Sequence, residues 1–181
     1  LFFCACINAM TPVPVPMSSN IFDSSTSAHA PRRMPSVPIF IKPDAKFQIG
    51  KADKIIEGND VTIIACGHLV WKSIEAAKEL ALQGISAEVI NMHTIKPLDE
   101  KAVLESVAKT GCVVTAEEHM IHGGLGDSIA QLLSRTVPTP QEYVGVNDEF
   151  GESGTPNELM TKYGIDTRNV VESALKVIQR K

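Results

Sequence analysis

From Val61 to Ile178 the chain alternates short β-branched apolar runs with longer stretches of helical period, and a glycine or capping residue marks most junctions. That rhythm restricts the fold more than any other feature. Val61 to Ala65 is an unbroken apolar run, as expected of a strand covered on both faces. Beyond Gly67, the residues Val70, Ile74, Ala77 and Ala81 recur at spacings of three and four, an amphipathic stripe that Gly84 is placed to end. Ala87 to Ile90 reads as the next strand. Asp99 can then cap a helix that turns Val103, Leu104 and Val107 inward, with Gly111 as its stop.

The pattern repeats. Cys112 to Ala116 reads as a third strand, and Gly123, Gly124 and Gly126 open a helix whose inner face is Leu125, Ile129, Leu132 and Leu133. A fourth strand is expected near Tyr143 to Val146. Thr155-Pro156-Asn157-Glu158 is a capping box with proline at the first helical position, and Gly164 stands where that short helix should stop. A last helix from about Asp166 is expected to bury Val171, Ala174, Leu175 and Ile178. Strands separated by helices imply crossover connections, so the expected fold is α/β: a three-layer α/β/α domain with a mainly parallel sheet of about five strands.

Residues before this region differ in character. Residues 1–36 are rich in Pro, Ser and Thr and show neither strand nor helix period, so they are expected to be a disordered or non-native tail, with the domain spanning 37–181. Arg32 and Arg33 in a Ser-rich setting could close an organelle transit peptide; a truncated or misread gene is the favoured explanation. The net charge of −4 provides no basic footprint for nucleic acid, and no apolar run reaches the length of a membrane-spanning helix. Cys66 and Cys112 lie in apolar strands, while Cys4 and Cys6 lack a second pair at zinc spacing, so neither a disulfide framework nor a metal site is expected. The composition reads as that of a reduced, cytoplasmic protein.

Chemistry-bearing residues gather at the strand ends, where open parallel sheets place their ligands. Gly67-His68, Asn91 to Thr94 and Glu117 to Gly126 are the three such turns. The turn Gly123-Gly124-Leu125-Gly126 could cradle a phosphate on free amides, or could serve close helix packing, which is the favoured reading. Glu117, Glu118 and His119 could form an acid/base group. Adjacent strand residues point to opposite faces, however, so one carboxylate is expected to cap backbone amides or make a salt bridge. His119 and His122 have an isolated spacing for metal ligands, and His68 and His93 are expected to be hydrogen-bonded loop residues.

The strings at these turns carry a resemblance. Phe47 to Ala52, Glu57 to Gly67, Val89 to Asp99, Thr115 to His119 with Gly123 to Gly126, and Phe150 to Gly154 together resemble the carboxy-terminal domain of transketolases. The Asn91-Met92-His93-Thr94-Ile95-Lys96-Pro97 string looks nearest to the short, split transketolases; deoxyxylulose-phosphate synthase and the β chains of 2-oxoacid dehydrogenases share the domain. The resemblance implies that the complete enzyme uses thiamine diphosphate and a divalent metal (Mg), held between pyrimidine- and diphosphate-binding domains of the same enzyme, upstream or on a separate chain. It also implies a homodimer, with no nucleic-acid or membrane partner. For this chain it implies no cofactor-binding, catalytic or metal residue, and an assembly role in which Glu117, Glu118, His119, Gly123, Gly124 and Gly126 form an interdomain or interface loop. A free-standing interaction module and a small dinucleotide-binding domain are the two readings from other classes.

Overall fold

A computed structural model describes residues 47–181. The expected tail at 1–36 and the domain start at Val37 lie outside the described residues. Five strands and five helices follow in chain order: β1 (Asp53–Ile56), β2 (Val61–Ala65), α1 (Leu69–Leu82), β3 (Ala87–Asn91), α2 (Glu100–Thr110), β4 (Val113–Met120), α3 (Leu125–Arg135), β5 (Gln141–Val146), α4 (Pro156–Lys162) and α5 (Thr167–Ile178). The strands form one sheet in the order β1-β3-β2-β4-β5. β2 pairs in parallel with both β3 and β4, and β4 with β5, while β1 runs antiparallel along the outer edge of β3. The sheet is therefore mainly parallel, as the strand–helix rhythm requires.

Both faces of the sheet are covered. Val61, Ile63 and Ala65 of β2 point into a core shared with Leu69, Ile74 and Leu80 of α1 and Val170, Ala174 and Val177 of α5. Ile64 turns the other way, with Ile90 and Val113, against Val103 and Val107 of α2 and Leu125, Ile129 and Leu132 of α3. This alternation is the period of two expected for a strand, and it explains why every residue of central β2 is buried. Where Thr62 faces the helix layer, its hydroxyl meets that of Thr110 at 2.7 Å, so the buried polar pair is satisfied internally.

The element ends follow local chemistry. Asp99 accepts from the amide of Ala102, and Gly111 takes a left-handed φ of 71° that L side chains avoid. Thr155 and Glu158 form the complete capping box ahead of α4. Three details depart from the sequence reading. β1 was not anticipated, because its exposed Asp53 and Lys54 and half-buried Ile55 and Ile56 carry no buried-strand signature. In α1, Ala81 is exposed and Val70 half-buried, while Leu69, Ala76 and Leu80 fill the core. In α5, Val170 and Val177 are buried, whereas Leu175 and Ile178 sit at the core margin.

Glu88 is the most consequential buried charge. Its side chain lies wholly inside, on β3, with the ammonium groups of Lys109 from α2 and Lys54 from β1 against it; the Lys54 contact is 3.3 Å. Burial alone pushes this carboxyl up, but Lys109 chiefly, and Lys54, outweigh that and hold it below the usual glutamate value. A carboxyl depressed in the folded state contributes stability above its unfolded pKa, and that contribution is lost as pH falls through the folded value. Glu88→Gln should therefore cost about 1.5–3 kcal/mol at neutral pH, the range for hydrogen bonds to charged groups. Urea unfolding followed from pH 7 downward should show the difference between variant and wild type shrinking below about pH 4.5.

Candidate functional site

β4 and β5 begin in even register and then lose it. Ala116 faces Val144 and Met120 faces Val146, so four steps along β4 match two along β5. The irregularity spans Glu117 to His119, the start of the turn that the sequence singled out. Such bulges change where side chains point. Here Glu117 is buried, at 3% exposure, while Glu118 and His119 are exposed.

The buried carboxylate has a clear task. One oxygen of Glu117 accepts from the Leu125 amide at 2.8 Å, and the other accepts from the Gly126 amide, also at 2.8 Å. These amides belong to the first turn of α3, where no carbonyl of the helix can reach them. A negative charge there also complements the helix dipole. Around it, Asp127 accepts from Gly123 N at 2.6 Å, Ser128 donates to the Gly124 carbonyl at 2.9 Å, and Gln141 Nε2 donates to the Gly126 carbonyl at 2.9 Å.

The glycines are required by close approach. A Cβ on Gly124 would lie 2.1 Å from a Glu117 carboxylate oxygen, and one on Gly126 would lie 2.5 Å from the Tyr143 ring. The turn is therefore packed shut over its own anion. A phosphate would have to displace Glu117, so neither the phosphate cradle nor the dinucleotide reading fits this geometry. An acid/base pair is equally unsupported, because Glu117 and Glu118 diverge and Glu117 has both oxygens committed to amides.

Of the six residues expected to form an interface loop, the structure buries Glu117, Gly124 and Gly126 and exposes Glu118, His119 and Gly123. The histidines also separate. His119 Nδ1 lies 2.8 Å from the Met120 carbonyl, and His93 lies between Gln48 O at 3.4 Å and Asp53 at 3.5 Å. His68 occupies the cap position of α1 without a side-chain capping bond. No group of three or more His, Cys, Asp or Glu side chains among the described residues could hold a metal ion.

The Phe150 to Gly154 string carried part of the resemblance, but the exposure of its aromatic ring was not anticipated from the sequence. Phe150, in the loop between β5 and α4, is 98% exposed, and its carbonyl accepts from the Tyr163 hydroxyl at 2.9 Å. A phenylalanine between acidic residues and glycines was the available signal.

Removing the internal anion should be costly. Glu117→Ala leaves two amides without their acceptor and should lower stability by about 2–6 kcal/mol, at roughly 1–3 kcal/mol per buried unpaired group. Gly124→Ala should cost a similar amount by forcing the carboxylate aside. In the Glu117→Ala background the same glycine substitution should cost far less, since the atom it strikes is gone. Urea midpoints of the double-mutant cycle measure that coupling, and additive costs would contradict it.

Comparison with known proteins places this geometry in a family. The family model described as "Transketolase, C-terminal domain" matches residues 50–170. The chain is 48% identical over 149 residues to the 6-deoxy-6-sulfo-D-fructose transketolase subunit SqwH of Clostridium sp. (strain MSTE9), covering 82% of this chain and 46% of that protein. It is 34% identical over 142 residues to an apulose-4-phosphate transketolase subunit of Phocaeicola vulgatus, covering 78% of this chain and 45% of that protein. Among solved structures, a split gene transketolase described as an inactive beta4 tetramer superposes with a TM-score of 0.77 at 47% identity, covering 79% of this chain and 47% of that one. The chain thus spans about half the length of the relatives it matches. It belongs to the transketolase C-terminal domain family.

Proposed function

We propose that this member of the transketolase C-terminal domain family is the assembly-supporting domain of a thiamine-diphosphate-dependent enzyme that moves a two-carbon ketol unit between sugar phosphates. The observation that carries the reading is the closed glycine turn. At the strand end where an open sheet of this kind would hold a phosphate, Glu117 already occupies the α3 amides. Tested against thiamine diphosphate, these residues do not fit: an anionic diphosphate meets a buried carboxylate, not free donors. No catalytic step is therefore assigned to this domain.

What it contributes is a body with a buried core on each face of its sheet, on which other domains can be held. The relatives support that division of labour, because two of them are named as transketolase subunits and this chain corresponds to less than half of each. The pyrimidine- and diphosphate-binding domains, with the cofactor and its Mg²⁺, then belong to further sequence or to a separate chain, and the working enzyme is a homodimer in the cytoplasm. Within the loop first singled out, the exposed residues Glu118, His119 and Gly123 are the ones available for contact.

Calorimetric titration of the 181-residue chain with thiamine diphosphate and Mg²⁺ should give no saturable heat. Ketol transfer should appear when a partner supplying the pyrimidine- and diphosphate-binding domains is added. Cofactor binding by the chain alone would overturn the assembly reading. Failure of any such partner to associate would point instead to a free-standing interaction module.

A further inference from the structure

An open sheet has two edges, and each presents backbone groups that no strand of the sheet uses. In this domain the two edges differ. β1 closes one side with four residues, a register break between Lys54 and Ile56, and the exposed charges of Asp53 and Lys54. Short length, irregularity and charge are the usual devices that keep an edge from pairing with another chain. β5 closes the other side without them. Its mismatch with β4 takes up the extra residues on β4, and Tyr143-Val144-Gly145-Val146 carries no charge.

Two hydrogen bonds fix which backbone groups of β5 face outward. The Pro140 carbonyl accepts from Val113 N at 3.0 Å and the Val146 carbonyl from Ile121 N at 3.0 Å, so the even-numbered residues turn toward β4. Gln141, Tyr143 and Gly145 therefore turn away from it. The outward carbonyl of Gln141 accepts from Arg180 at 3.1 Å, while no strand of the described residues pairs with Tyr143 or Gly145 on that side. Tyr143 is 40% exposed and lines a hollow of about 350 Å³ with Ala130, Leu133 and Pro138.

We propose that β5 pairs antiparallel with β5 of a second copy across a two-fold axis at Val144, so that one sheet runs through both molecules. The residues choose the axis. With Val144 opposite the partner's Val144, Tyr143 of each copy stands opposite the partner's Gly145, and the two exchange the outward amide and carbonyl bonds that β4 leaves unused. Glycine leaves its backbone bare, and the Tyr143 ring, on the same face of the sheet, covers it. An axis at Tyr143 would instead bring the partner's Gly145 to the Gln141 carbonyl, which Arg180 already holds. Charge selects a second copy over a foreign strand. In this register Gln141 faces the partner's Asn147, and the acidic pair Asp148 and Glu149 comes next, so the half-exposed Arg180 of each copy meets the acidic run of the other. Glu142 is matched by Lys176 and Arg180 of its own chain and brings no repulsion to the contact. The pairing needs only this domain, so it stands or falls independently of the assembly reading above.

Sedimentation equilibrium of the full chain, from about 1 to 100 μM, should show a reversible equilibrium between monomer and dimer. Arg180→Glu and Glu149→Arg should each raise the dissociation constant about tenfold. Together they should return it to within about threefold, because the reversed charges meet again across the axis. Both changes lie at the surface and leave the core intact. Register is read by cross-linking, in a chain that also carries Cys4→Ser and Cys6→Ser. Val144→Cys should give a disulfide-linked dimer on mild oxidation, since facing residues of a pair without hydrogen bonds lie about 4.5 Å apart at Cα, within disulfide reach. Val146→Cys should not, because its copies stand well apart in this register. A chain still monomeric at about 100 μM would overturn the pairing. So would a dimer that ignores both charge reversals and gives no Val144→Cys cross-link, since it must use another face. Where charge reversal and cross-link disagree, the cross-link decides, because it reports the register itself.

Discussion

A single buried carboxylate organises the glycine turn between β4 and α3. Glu117 leaves β4 and spends both oxygens on the first amides of α3, and that choice sets much of what surrounds it. The helix can start only where its amides reach the carboxylate, so its N-terminus is fixed against the sheet. Gly124 must lack a side chain because the carboxylate fills the space a Cβ would take, and Gly126 must lack one because Tyr143 of β5 lies against it. Three elements thus meet at one charge. The arrangement resembles an anion-binding helix N-terminus in every respect except that the anion is part of the protein.

That distinction supports the proposed assembly role over binding of a small anion. In an open parallel sheet the carboxyl end of the strands is the usual place for a ligand, because the helix amides there have no partner in the chain. Here those of α3 are satisfied from within, and the surface beyond them carries apolar side chains at its two sides. A polar site closed from within offers no free amide donors to a small anion. The buried Glu88, matched by Lys109 and Lys54, plays a different part. It ties the antiparallel edge strand β1 and helix α2 to β3, its neighbour in the parallel part of the sheet.

Much of the architecture was legible in the residues. Strands β2, β3 and β4 were readable because a strand buried on both faces must be apolar along most of its length; the edge strand β5, with Val144 alone buried, was readable from its β-branched and aromatic residues and its place in the strand–helix rhythm. The edge strand β1 was not, since half of its surface meets solvent and its sequence need not declare it. The stripes assigned to α1 and α5 were close but rotated. Each helix packs on the sheet and on its neighbour together, so its buried arc is wider than a single stripe: Leu69 and Leu80 are inside and Ala81 is not. Periodicity shows that a helix has an apolar face; the packing partners decide the width and phase of that face.

The site divides along the same line. The residues alone determined the α/β class, the helix caps at Asp99 and Thr155, the glycine turn, and the expectation that the two adjacent glutamates would part company. Which glutamate went inside was decided by the bulge between β4 and β5, a mismatch of two strands that neither strand encodes separately. Likewise Phe47 and Phe150, about a hundred residues apart in the chain, share one end of the domain only because the sheet order sets β3 and β5 on either side of the centre. Local propensities depend on neighbours within a few residues, so sequence carries them directly. Burial of a charge and the common exposure of distant rings depend on contacts through space, and those exist only once the chain has folded.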